Sequence, residues 1–296
     1  MSDNQLGDYL RSRREQVTPD DVGLASYGVR RVAGLRREEV AMLAGISADY
    51  YLRLEQGRDR NPSVPVLEAL ARVLLLDETA TAYLLDLAAP RPRSRPRRRR
   101  REQVPPEVGH LLDVIGLPAF VEGRYLDVLA ANALATSLSP SVRVGENRLR
   151  SLFLDPAERA LFPGLPAAAP QLVAGFRARI GTDADDPRVV ELVGELSVRS
   201  EEFRRAWARH DVREIRGRSV VLDHPVVGRL ELRLAKLGVQ GTDGQTLVVH
   251  HADPGSESAE KLALLASLTA DPPSDANGPA SQAAARDEVA RPRVDP

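Results

Sequence analysis

The run ISADYYLRLE, residues 46–55, carries Ser47, Ala48, Asp49 and Arg53 at its head and middle. An aspartate carboxylate accepts from a cytosine amino group. An arginine guanidinium donates to guanine, and an alanine methyl packs on a thymine methyl. Further donors surround this set: Arg36 and Arg37 precede it, Tyr50 lies within it, and Gln56 and Arg58 follow. Guanidinium, phenol and amide groups in that distribution suit phosphate oxygens. The chemistry on offer is recognition of double-stranded DNA, with no bond made or broken.

Such groups work only if a frame presents them. In LRREEVAMLAGISADYYLRLEQGR, Ala41 is small enough for two helices to cross closely. Gly45, four residues later, tolerates the positive φ of a tight turn. Ile46 fills the gap beneath the turn and Ser47 can cap a new helix. Val40, Tyr51 and Leu54 are placed to fill the core between this pair and its neighbours. The spacing predicts a helix-turn-helix whose second helix enters the major groove. A helical pair serving as a protein-binding adaptor is the alternative; the flanking arginines favour DNA.

The surrounding residues predict a complete helical domain over 1–89. Its helices span Leu6–Arg14, Arg36–Ala44 and Ser47–Gln56, then a segment begun by Ser63, then Glu78–Leu87. Pro90–Arg101 holds eight arginines and, apart from proline, nothing apolar. It predicts a linker over 90–103 with sequence-independent affinity for phosphates. A second domain is expected over 104–269. Helices are predicted at Glu107–Ile115, Asn147–Phe153, Ala168–Ile180, Pro187–Arg199, Glu201–Arg209 and Ser258–Leu268, with another starting at Asn132. Strands are predicted at Pro118–Val121, Tyr125–Ala130, Arg218–Leu222, Gly228–Leu237 and Thr246–His251. In DPGSESAE, Ser256 or Ser258 is the expected cap of the last helix. Residues 270–296, rich in Pro, Ala, Asp and Ser, read as a disordered tail.

Over its 296 residues the chain carries a net charge of −1, which conceals a basic front and an acidic back. Residues 1–101 hold 19 basic and 14 acidic side chains; the remainder holds 22 and 28. The split suggests different partners for each half. The absence of cysteine excludes disulfides and thiolate chemistry from this chain. No apolar run suits a signal peptide or a membrane span, so the expected location is the cytoplasm, with no membrane partner.

Other chemistry finds little support. No G-x-S-x-G elbow, Walker A sequence or H-E-x-x-H pair occurs, so no enzyme activity, cofactor or metal site is expected. An uncharacterised enzyme fused to a DNA-binding unit stays as an alternative. Trp207 and His210 are three apart in WARHDV and share a helical face. They could wall an apolar pocket. The favoured reading puts Trp207 in the core and His210 at the helix C-terminus.

GLRREEVAMLAGISADYYLRLEQGR resembles the Xre-type, lambda-repressor-like helix-turn-helix of actinobacterial regulators, and the likeness extends over Leu6–Leu87. The second half resembles their MmyB-like ligand-binding domain. The segments that carry this are LDVLAANALATSL, RSLFLDP, VGELSVRSEEFRRAWARHDV, HPVVGRLELRLAKL and LVVHHADPGSESAEKLALL. The resemblance implies a mainly α, two-domain transcriptional regulator: a five-helix bundle, then an α+β PAS-like domain with a small antiparallel sheet. It also implies a small apolar, fatty-acid-like ligand, for which Phe120, Leu129, Phe203, Trp207, His210 and Leu232 are the candidate pocket residues. Regulators of this motif class commonly bind two half-sites, so a homodimer is expected. Two departures stand out: relatives often carry Tyr at the position of His250, and a denser Pro/Gly stretch in place of SYGVRRV, which bears on Arg30 and Arg31.

Overall fold

The computed structural model describes residues 4–24, 32–59, 61–89, 102–181, 183–214 and 218–270. The linker expected over 90–103, apart from Glu102 and Gln103, lies outside the described residues. So do Arg30, Arg31 and the tail expected over 270–296, apart from Ala270.

Five helices make the first domain: α1 (Gln5–Gln16), α2 (Arg37–Ala44), α3 (Ala48–Glu55), α4 (Val64–Val73) and α5 (Glu78–Ala88). Local chemistry starts them where the caps fall. Asn4, Ser47 and Asp77 accept from backbone N–H groups of the first turns of α1, α3 and α5. Gly45 ends α2 at φ 69°, the left-handed conformation expected of it. Gly7 has a second kind of necessity: a Cβ there would stand 2.2 Å from the Glu55 carbonyl oxygen, so only glycine lets α1 cross α3 this closely. Tyr9, Leu10, Leu35, Val40, Tyr51, Leu54, Leu70, Leu74 and Leu84 form the core. Burying each such side chain contributes about 1.5–3 kcal/mol.

The second domain opens with α6 (Pro106–Val114), β1 (Ala119–Glu122) and β2 (Val128–Ala131). Helices α7 (Ala133–Leu138), α8 (Arg148–Leu154), α9 (Pro156–Leu161), α10 (Leu165–Ile180), α11 (Pro187–Arg199) and α12 (Glu201–Ala208) follow. Then come β3 (Arg218–His224), β4 (Gly228–Gly238), β5 (Thr246–His251) and α13 (Glu257–Ala270). The sheet is antiparallel in the order β2-β1-β5-β4-β3, in accord with a small PAS-like sheet. Its period of two sorts residues by face. Ala119, Val121, Leu247 and Val249 cluster with Leu112 of α6. Phe120 and Val248, directly paired across β1 and β5, face the side of α7.

The differences from sequence expectation are local. α9 is an addition: Asp155 caps it and Pro156 opens it, but six residues are too few to show a period. α10 begins at Leu165 instead of Ala168, because Pro166 is tolerated in a first turn. β2 starts later than expected, after a turn in which Leu126 takes φ 68°. Of the two candidate caps, Ser256 accepts from the Ala259 N–H, while Ser258 accepts from Glu231 on β4.

The two domains pack against each other. Val212, just after α12, is only 2 % exposed and sits in the core of the helical domain. Around it, Arg13 pairs with Asp211 at 2.8 Å, and Ser12 and Gln16 donate to the Arg209 carbonyl at 2.7 and 2.6 Å.

Candidate functional site

α3 has two faces of opposite character. Tyr51 and Leu54 are fully buried and fasten it to the core together with Val40 and Ala41; Ile46 packs half-buried beside them. Ser47, Ala48 and Asp49 are exposed at the N-terminal end. Arg53, one turn on, ion-pairs with Asp49, and its guanidinium lies 5.6 Å from the centre of the Tyr50 ring. The four residues expected to read bases therefore lie together on the exposed side. Arg36, Gln56 and Arg58 are exposed around them, and Tyr50 is half-buried.

Arg37 has a further duty. Its Nε donates to Glu55 at 2.7 Å, while Arg14 donates to the other carboxylate oxygen at 2.6 Å. Glu55 is completely buried. Burial alone would push its carboxyl up; hydrogen bonds and charge from Arg14 and Arg37 outweigh this and hold it below the usual range. The carboxylate thus joins α1, α2 and α3 at one point. Sequence reading missed it, since a glutamate beside Arg53 and Gln56 looks like one more solvent-facing residue. The i+4 step from Tyr51 to Glu55 was the available signal.

A cavity of about 930 Å³, open on one side, lies between the sheet and helices α8 and α10. Its sheet wall follows the strand period: Phe120 and Glu122 on β1, Leu234 and Lys236 on β4, Thr246, Val248 and His250 on β5. Leu149, Leu152, Phe162, Leu165, Leu172 and Phe176 supply an apolar wall opposite. The space exists because the sequence of α10 places Ala167, Ala168 and Gly175 toward it. Small residues at those positions leave the volume that larger ones would fill.

Charge is concentrated on one part of this wall. Glu122 accepts from Arg179 at 2.7 Å and from Lys236 at 3.1 Å. Burial works against the Glu122 anion, but Lys236 and Arg179 prevail and hold its carboxyl below the usual range. At this end two cations face one anion; Glu214 adds a second carboxylate elsewhere in the lining. Arg179 is further held by the carbonyls of Gly123 and Gly244. Arg148, close to Phe120, is matched by Glu158 at 2.8 Å. His250 is 8 % exposed; burial pushes its imidazole down to about 3, with Arg148 and Lys236 acting in the same direction. It is neutral at pH 7. The lining thus combines a broad apolar wall with a pair of cations at the Lys236–Arg179 end.

Of the six candidate pocket residues, Phe120 lines this cavity and the other five do not. Leu129 packs on the opposite sheet face with the cluster of α6. Phe203 is buried between α8, α10 and α11, with Trp207 stacked 5.8 Å from it. Leu232 joins the cluster that includes Leu262 and Leu265 of α13. His210 follows α12 with φ 52° and is half-buried near Arg177, Asp8 and Asp211, at the junction of the domains. The charged cavity residues were the ones missed. Glu122 stands two after Phe120 and Lys236 two after Leu234, so the strand period could have placed both.

One domain thus presents an exposed helix from a rigid core, and the other surrounds a lined cavity, the arrangement of a two-module regulator. A model of the MmyB-like transcription regulator ligand binding domain matches residues 104–265, and a helix-turn-helix domain model matches residues 5–84. The chain belongs to the MmyB-like transcription regulator family, and is a DNA-binding transcription regulator. No curated protein matches it. No helix among the described residues is long and apolar enough to cross a membrane.

Proposed function

We propose that this chain reads specific DNA sequences through Ser47, Ala48, Asp49 and Arg53, with Arg36, Arg37, Tyr50, Gln56 and Arg58 on flanking phosphates. The observation that carries the reading is the two-faced α3: Tyr51 and Leu54 fix it rigidly while its N-terminal end stays uncovered. The resemblance to actinobacterial Xre-type regulators and the family match support it over an enzyme or a protein-binding adaptor; the helix-turn-helix motif class adds the expectation of a homodimer on two half-sites. DNA binding is controlled by a small, largely apolar ligand in the sheet-domain cavity. Its apolar wall and its excess cation at Lys236 and Arg179 suit a fatty-acid-like carboxylate.

The test is selection of bound fragments from a genomic library by the full chain at moderate salt. One enriched, two-fold symmetric motif is expected, and Arg53→Ala should relax it at one position per half-site, at a cost of about 1–3 kcal/mol. Enrichment of every fragment alike, fading with salt, would reduce the activity to phosphate attraction and sink the reading.

A further inference from the structure

We propose that the cavity is a composite site closed in part by the DNA-binding domain, and that α10 links its occupant to the docking of the two domains. The inference rests on the cavity being a ligand site. Three residues carry it. Thr79, on α5 of the helical domain, lines the cavity. Ala178, on α10, lines the cavity and also packs against the core of the helical domain. Glu214, two residues beyond the Val212 embedded in that core, lines the cavity as well.

Beside Ala178, Arg177 turns to the domain junction. It is 4 % exposed, its guanidinium lies 3.8 Å from the centre of the Trp207 ring, and its Nη2 donates to the Trp207 carbonyl at 2.7 Å. The Arg13–Asp211 pair and the Ser12 bond to the Arg209 carbonyl close the outside of the same junction.

A molecule that touches Thr79 and α10 together contacts both domains. It therefore binds the docked arrangement more tightly than an undocked one, and docking strengthens its binding by the same factor. The cavity is open in the docked arrangement, so entry requires no separation. The docking contacts come from α1 and α5, and α3 keeps its exposed end. Docking thus fixes the position of α3 relative to the sheet domain without covering it, which gives the ligand a way to set half-site geometry.

The absence of native cysteine makes the test direct. Spin labels at Glu68→Cys and Val198→Cys, both exposed positions, report the interdomain distance in the full chain by double electron–electron resonance. Dodecanoate is the probe, with binding read separately by calorimetry. It should bind and narrow the distance distribution. The double variant Ser12→Ala with Arg13→Ala, remote from the cavity lining, should broaden the distribution and weaken dodecanoate about 5-fold or more. Unchanged affinity in that variant, despite a broadened distribution, overturns the coupling and leaves the ligand reading standing. An absence of dodecanoate binding to the unmodified chain overturns the ligand reading and this inference with it.

Discussion

Glu55 shows how one side chain can set the conditions for a recognition surface. Its carboxylate is shared by Arg14, which is buried, and Arg37, which is 43 % exposed. Glu55→Gln removes the charge that both guanidiniums face. Breaking a buried pair in this way costs about 3–5 kcal/mol, and urea unfolding of the variant should show a loss at the lower end, since Arg37 can turn to water. A loss under about 1 kcal/mol would mean the triad is replaceable. The sign of the pH effect follows from the lowered carboxyl. Its stabilisation is complete above the ordinary glutamate range and is lost as pH falls through the depressed folded value. On the DNA side, Arg58→Ala should weaken binding evenly across sequences and reduce the salt slope by about one, measured by titration at several salt concentrations.

At the scale of elements, the helix-turn-helix was legible because its constraints are local. Gly45 needs a positive φ and Ser47 needs an N–H to accept, and both can be read from a few neighbouring residues. The sheet was legible where Leu230, Leu232 and Leu234 alternate with Glu231 and Arg233. The cavity was not, because it is defined by what α10 lacks. Alanines and a glycine in PAAAPQLVAG look like ordinary helix filler until the sheet is seen opposite them. Trp207, for which the sequence offered both a core place and a pocket wall, packs against the core, where it covers Arg177 and stacks on Phe203. Gly175→Leu should narrow the cavity and weaken dodecanoate binding by calorimetry, with little change in the thermal midpoint. Gly7→Ala should act oppositely, since its Cβ would collide with the backbone of α3. Overpacking of that kind costs about 1–3 kcal/mol, visible as an earlier unfolding midpoint.

For the whole molecule, the junction between domains carries its own pH response. Burial pushes the His210 imidazole down to about 4, Arg177 acts in the same direction, and Asp8 and Asp211 oppose. An unfolded or undocked histidine titrates near about 6.5. The stability that neutral His210 lends to the junction is therefore complete above about pH 6.5 and is lost as pH falls through about 4. Interdomain distances should broaden over that window. His210→Asn, which keeps a residue tolerant of positive φ, should blunt the change; an identical response in the variant would assign it to His250 or the carboxylates.

The burial of Val212 also bears on how the chain is made. The helical domain is finished on the ribosome by residue 89, yet one of its core side chains lies 123 positions further on. At about 5–20 residues per second, that interval is on the order of 6–25 seconds. For that time the nascent bundle lacks one of its buried apolar side chains. Folding of the first domain is thereby tied to completion of the second, and a chain released before Val212 would keep a bundle without that side chain.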